Sequence, residues 1–237
     1  MSKTAFVTGS AAGIGAAVVK LLKDRGYAVG GFDLADQAGS PCDETYSGDV
    51  LEIGAVQEAA ASFSRKYGGI DSFICAVGIV AKAPLATGPY EQMVRVLDIN
   101  IKGSMLSCRE VLPFMSKGSS IVLFSSCISK SPKPGMTAYG ASKGAMDAFA
   151  RALAIEVAPD IRVNAVAPGL VNTGIWRTAG MSGEAFDDLM ARRGAEYPLG
   201  RVGVPEDIAA AIGFLISPEA SWITGVVLPI DGGEHLG

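Results

Sequence analysis

The chain has 237 residues, 49% of them hydrophobic and 19% charged, with a formal net charge of -4. A charge of that sign and size offers no basic footprint for nucleic acid, and no apolar run approaches the roughly 18 residues a bilayer span needs. The sole histidine is His235, which excludes a zinc centre built on several histidines and a mid-chain histidine base, so proton chemistry falls to Tyr, Lys, Asp, Glu, Ser or Cys.

Strand-like apolar runs alternate with helical patterns along the chain. KTAFVT predicts a buried first strand, followed by GSAAGIG and an amphipathic stretch, AAVVKLLKDRG. YAVGGFD predicts a second strand and ETYSGDV a short third. VQEAAASFSRKYGG reads as a helix and IDSFICAVG as the fourth strand. A long helical pattern then runs from about Pro89 to Ser116. SSIVLFSS predicts the fifth strand, TAYGASKGAMDAFARALA a helix closing near Pro159, and IRVNAVAPG the sixth strand. The segment 174–200 is polar, holds Gly174, Gly180, Gly183 and Gly194, has no clean period, and reads as a flexible lid over a substrate. PEDIAAAIGFLI and GVVLPIDGG supply the last helix and strand. The pattern predicts one α/β domain over 1–237, a doubly wound parallel sheet of about seven strands with helices on both faces. Ligands bind such sheets beyond the carboxyl ends of the strands. Cys42, Cys75, Cys108 and Cys127 show no CxxC pair and read as reduced thiols. With no leader pattern in MSKTAFVTG, the expected compartment is the cytoplasm, with no membrane partner.

TGSAAGIG, residues 8–15, stands between the first strand and the first helix. Glycines there permit a tight turn and a close approach of a pyrophosphate to backbone N–H groups at a helix N-terminus. Gly9, Ser10, Gly13, Ile14 and Gly15 are therefore the expected cofactor cradle. Asp33 ends the second strand, close to the ~20-residue spacing of the carboxylate that accepts hydrogen bonds from an adenosine ribose. Leu34 follows it. Neither GSAAGIG nor FDLADQ carries an Arg or Lys to receive a 2′-phosphate. The expected cofactor is NAD rather than NADP.

Tyr139-Gly-Ala-Ser-Lys143 sets a phenol and an ammonium one helical turn apart, on one face. This Y-x-x-x-K run, together with TGSAAGIG, resembles the short-chain dehydrogenase/reductase family, and the resemblance extends from Thr4 to Gly233. It implies a Rossmann fold and an active site of Tyr139, Lys143, Ser126 in FSSC and Asn100 in DINIKG. It also implies cofactor contacts at Asp49 and Val50, at Gly78, and in APGLVNT at Pro168, Gly169, Val171 and Thr173. A homotetramer is implied too, with the small-residue face of the 139–157 helix in a dimer contact. One stretch departs from the family: Cys75-Ala76-Val77-Gly78 stands where Asn-Asn-Ala-Gly is usual. The glycine remains, the asparagine that steadies the sheet is lost, and Cys75 reads as a buried core thiol.

A tyrosine of ordinary pKa, near 10, is a poor base at neutral pH. The Lys143 ammonium and the positive nicotinamide of NAD+ are expected to lower it, so that Tyr139 exchanges a proton with an alcohol or a carbonyl. Lys143 would also hold the nicotinamide ribose and Ser126 would orient the substrate oxygen. By resemblance, Asn100 would hold a relay water. The expected reaction is hydride transfer between a secondary alcohol or ketone and the nicotinamide. The expected substrate wall includes Ser126, Ile128, Met136, Tyr139, Leu170, Ile175 and Trp176, and its apolar character favours a small or medium lipophilic substrate, with polyols open. A 3-oxoacyl-thioester reductase and a catalytically idle NAD(H)-binding sensor or scaffold are the alternatives.

Overall fold

In the computed structural model, which describes residues 3–175 and 183–236, seven strands form one sheet in the order β3-β2-β1-β4-β5-β6-β7, and every pairing is parallel. The strands are β1 (Thr4–Thr8), β2 (Ala28–Asp33), β3 (Glu44–Ser47), β4 (Ile70–Cys75), β5 (Met115–Phe124), β6 (Ile161–Pro168) and β7 (Val227–Ile230). The inner strands are covered on both faces, which is why they read as continuous apolar runs rather than alternating ones. β3, at an edge, alternates exposed and half-buried residues instead.

The helices that cover the sheet are α1 (Gly13–Asp24), α2 (Ala55–Tyr67), α3 (Tyr90–Leu97), α4 (Ser104–Val111), α5 (Thr137–Glu156), α6 (Glu184–Glu196) and α7 (Pro205–Leu215). Val56, Phe63, Val111, Met146, Ala150 and Leu153 from α2, α4 and α5 pack on one face, around Phe6 and Phe73. Val18, Val19, Leu22, Ile208, Ile212 and Leu215 from α1 and α7 pack on the other. Each such buried Val, Leu, Ile, Phe or Met side chain contributes about 1.5–3 kcal/mol by leaving water. Small residues make room for large ones: a methyl at Gly30 of β2 would stand 2.7 Å from the Phe63 ring and 2.9 Å from that of Phe6.

Two expectations change. The helical pattern from Pro89 to Ser116 is not one helix. After α3 the backbone widens into a π-helical turn, Asp98–Gly103, before α4, and Pro113, which has no N–H, sits in a 3₁₀ turn, Leu112–Phe114, that ends it. β5 therefore begins at Met115, four residues before SSIVLFSS. The segment 174–200, read as a lid without periodicity, contains α6. Among its described residues Met190 and Gly194 are buried, a stripe too narrow to leave a clear helical period in the sequence. The part of that lid at 176–182 lies outside the described residues.

Candidate active site

The carboxyl end of β1 leads into the glycine turn. Gly9 and Gly13 have φ of 75° and 55°, a region glycine enters without steric cost. A methyl at Gly9 would lie 2.7 Å from the Ala76 carbonyl carbon, and one at Gly15 would lie 1.9 Å from the Gly9 oxygen. The turn is thus packed backbone on backbone, and no side chain caps the N-terminus of α1. The positive end of that helix faces the cleft, as an anion site requires. Asp33, at the end of β2, accepts the Ala11 N–H through Oδ2 and the Ala35 N–H through Oδ1, both at 2.9 Å. These bonds fix the carboxylate beside the turn.

The ends of β4, β5 and β6 supply the rest. Ser126 follows β5 and is buried; its Oγ accepts the Ile128 N–H at 3.3 Å, which starts a 3₁₀ turn over Cys127–Ser129. Tyr139 and Lys143 lie one turn apart on α5. The Lys143 Nζ donates to the Phe124 carbonyl at 2.9 Å and stands 5.6 Å from the centre of the Tyr139 ring. Asn100, in the π-helical turn, is spent on structural bonds to distant segments: Oδ1 accepts the Ile79 N–H at 2.9 Å, and Nδ2 donates to the Ile79 carbonyl at 3.0 Å and to Ser142 Oγ at 3.1 Å. Gly78 lies between these groups. A methyl there would reach within 3.3 Å of Asn100 Oδ1 and 3.6 Å of Lys143 Nζ.

All of this opens on one cavity of about 490 Å³. Gly9, Gly13, Ile14, Gly15, Asp33, Leu34, Asp49, Val50, Gly78, Ser126, Tyr139, Lys143, Pro168, Gly169, Val171, Thr173 and Ile175 all line it. A family model described as enoyl-(acyl carrier protein) reductase matches residues 9–235. Carbonyl reductase family member 4 of Danio rerio is 36% identical over 100% of this chain and 99% of that protein. The 3-oxoacyl-[acyl-carrier-protein] reductase FabG of Chlamydia muridarum is 35% identical over 98% of this chain and 97% of that protein. Among solved structures, ligand-free aldohexose dehydrogenase of Thermoplasma acidophilum superposes with a TM-score of 0.94 at 29% identity, covering 100% of this chain and 95% of that one. The chain belongs to the short-chain dehydrogenase/reductase family.

In this short-chain dehydrogenase/reductase the expected site residues divide by position. Five of them are absent from the cavity wall. Ser10 turns away and donates to Gln37 Oε1 at 2.7 Å. Asn100 lies behind Ile79. Ile128 packs near Gly140 of α5, and the Met136 carbonyl accepts the Gly140 N–H where that helix begins. Leu170 faces a separate cavity of about 210 Å³. Trp176 lies outside the described residues. Arg95, Ile99, Phe32 and Ala12 line the main cavity without having been anticipated. Arg95 sits on α3, and no motif around it marks it. The departure at Cys75–Gly78 leaves Cys75 buried in the core at the end of β4, while Val77 joins the cavity wall.

The electrostatics of this short-chain dehydrogenase/reductase differ from the sequence expectation. Burial pushes the Tyr139 phenol up to about 12, and the Ser126 hydroxyl opposes this only in part. Burial brings the Lys143 ammonium down to about 8, against the pull of Cys75 and Asp147. The lysine does not lower its neighbour here. Its proton is directed at the Phe124 carbonyl, and its charge lies over the ring rather than at the hydroxyl, so desolvation decides the phenol.

Proposed function

We propose that this chain is an NAD(H)-dependent oxidoreductase that interconverts a secondary alcohol and a ketone, with Tyr139 as its acid/base. The observation that carries the reading is the shared cavity, which is lined both by the glycine turn with Asp33 and by Ser126, Tyr139 and Lys143. The residues fit a dinucleotide. Gly9, Gly13, Ile14 and Gly15 at an uncapped helix start suit a pyrophosphate, and the fixed Asp33 carboxylate suits a ribose with free hydroxyls. Asp49, Val50, Pro168, Gly169, Val171 and Thr173 complete the wall. Bound there, the nicotinamide supplies or accepts the hydride.

The chain's own residues do the rest. Tyr139 carries its proton in this state, so it can give that proton to a ketone oxygen as charge develops there, although burial makes it a weaker acid than a free phenol. Ser126 donates a hydrogen bond to the same oxygen and orients it. Lys143 titrates close to neutrality, so it can replace the proton Tyr139 gives up. Asn100 positions Ile79 and Ser142. The test is cofactor reduction and oxidation by the purified protein over secondary alcohols, diols and hydroxysteroids and the matching ketones, with NAD(H) and NADP(H) in parallel. Turnover of one substrate class with NAD(H) supports the reading. Cofactor binding without turnover supports the idle binder instead.

A second reading, reduction of a 3-oxoacyl thioester, is favoured by the FabG relatives. Arg95, a cation on the cavity wall, would serve a phosphate there, whereas Asp33 would repel a 2′-phosphate. A 3-oxoacyl thioester with NADPH belongs in the same panel. No helix among the described residues is long and apolar enough to cross a membrane. We propose a cytoplasmic site of action and a homotetramer.

A further inference from the structure

Glu234 is a buried carboxylate that the chemistry above does not use. It comes from the C-terminal 3₁₀ turn, Glu234–Leu236, yet its oxygens join three distant parts of the chain. Oε1 pairs with Arg193 of α6 at 2.6 Å and has Lys133 at 3.8 Å. Oε2 accepts from the Tyr197 hydroxyl, just beyond α6, at 2.5 Å, and from the thiol of Cys127, the residue after Ser126, at 3.2 Å. The Tyr197 hydroxyl in turn accepts the Leu170 N–H at 3.2 Å, which ties in the segment after β6. The turn itself is held by Asp231, whose carboxylate accepts the Gly233 and His235 N–H groups at 3.1 Å and meets the His235 ring at 2.6 Å. It presses directly on the cavity wall: a methyl at Gly169 would lie 2.8 Å from Asp231 Cβ and 3.1 Å from Glu234 Oε2.

We infer that Glu234 is a positioning residue that locks α6 to the segment carrying Ser126 and so sets the substrate end of the cavity. A buried carboxylate with a guanidinium, a phenol and a thiol on its two oxygens is fully satisfied, and removing it strips the phenol and the thiol of this acceptor and leaves Arg193 with its exposed partner Glu196 alone. α6 depends on this link because it buries little else. Among its described residues Met190 and Gly194 are buried, against the broad apolar faces of α1 and α7. The bonds of Glu234 go to Cys127, Arg193, Tyr197 and Lys133, not to Tyr139 or Lys143, so its influence runs through Cys127, Leu170 and α6. The inference rests on the proposed activity for its kinetic consequence and on geometry alone for its structural one.

The test uses the full chain with NADH present. In Glu234→Gln, amide hydrogen exchange is expected to rise about 10-fold or more in residues 184–197 and 127–131 together, with α1 and the inner strands unchanged. KM for the ketone or alcohol is expected to rise about 10-fold while kcat stays within about 2-fold and NADH affinity is unaltered. Arg193→Gln is expected to give a similar rise in KM, and the double variant no more than either alone, since both cut the same link. Unchanged exchange in the two segments, or a rise spread evenly over the sheet, overturns the inference; so do additive effects of the two substitutions on KM. Should the wild-type protein turn over nothing, the proposed activity falls, and the exchange pattern still decides the role of Glu234.

Discussion

Tyr139 and Lys143 are one turn apart, and burial drives their proton affinities in opposite directions. The lysine's lowered value makes a stability prediction with a defined sign. From about 8 up to its ordinary 10.5, the unfolded chain holds a proton that the folded chain has released, so this group's cost to stability shrinks as pH rises through that window. Below about 8 both states hold the proton and the full cost is present. Lys143→Met removes the group, so its stability advantage over the wild type is expected to be larger by about 2 kcal/mol at about pH 7.5 than at about pH 9.5. Urea unfolding of both proteins at the two pH values checks this. Tyr139→Phe deletes the acid/base and leaves the ring, so turnover is expected to fall by about 10³-fold or more while NADH binds within a few-fold, read by single-turnover kinetics and nucleotide fluorescence. Asp33→Ala removes the carboxylate fixed beside the glycine turn. The ratio of kcat/KM for NAD over NADP is expected to drop about 10-fold or more, because the repulsion of a 2′-phosphate goes with it; an unchanged ratio means that another group reads the ribose.

At the scale of elements, the π-helical turn between α3 and α4 shows what the sequence conveys and what it does not. TGSAAGIG, Tyr139-Gly-Ala-Ser-Lys143 and Asp33 are local signals, each decided within a few residues by a turn, a helix face or a strand end, and the doubly wound parallel sheet follows from the alternation of strands with helices. The widened turn depends instead on a contact between remote segments: Asn100 captures both backbone groups of Ile79, 21 residues away. No helical pattern from Pro89 to Ser116 contains that information. α6 leaves no local pattern for a related reason, since the partner that holds it, Glu234, lies 41 residues beyond Arg193. Arg95 lines the cavity for the same kind of reason, because only the packing of α3 brings it there. Asn100→Ala is therefore expected to cost about 1–3 kcal/mol in urea unfolding, since it leaves the half-buried Ile79 backbone groups without their partner, and to reduce kcat as the neighbouring Lys143 loses its fixed surroundings. Asn100→Asp retains the acceptor for the Ile79 N–H and is expected to recover part of the stability.

On the scale of the whole molecule, two apolar faces lie exposed on opposite sides of the sheet. On α5, Ala141, Ala148, Ala152 and Ile155 form an outward stripe, with Ile155 82% exposed and Met105 of α4 also outward on the same side. The small residues let another backbone approach closely. Across the sheet, Phe214 of α7 is exposed, and Trp222, between α7 and β7, the last strand of the sheet, is 99% exposed. A solvated indole costs the isolated chain free energy and marks a surface that another protein surface can cover. A twofold contact uses one self-complementary patch, so a chain with two separate patches can form two kinds of twofold contact, and together these close a tetramer of dihedral symmetry. The proposed homotetramer makes a graded prediction on this basis. Ile155→Glu alone and Trp222→Glu alone are each expected to halve the native mass measured by light scattering at micromolar concentration, and the double variant to halve it again. Each substitution places a charge at the centre of one contact and leaves the other intact. A mass unchanged by both substitutions assigns the exposed faces some other partner; a wild-type mass of one chain removes the tetramer, while the cavity, built within a single chain, stands without it.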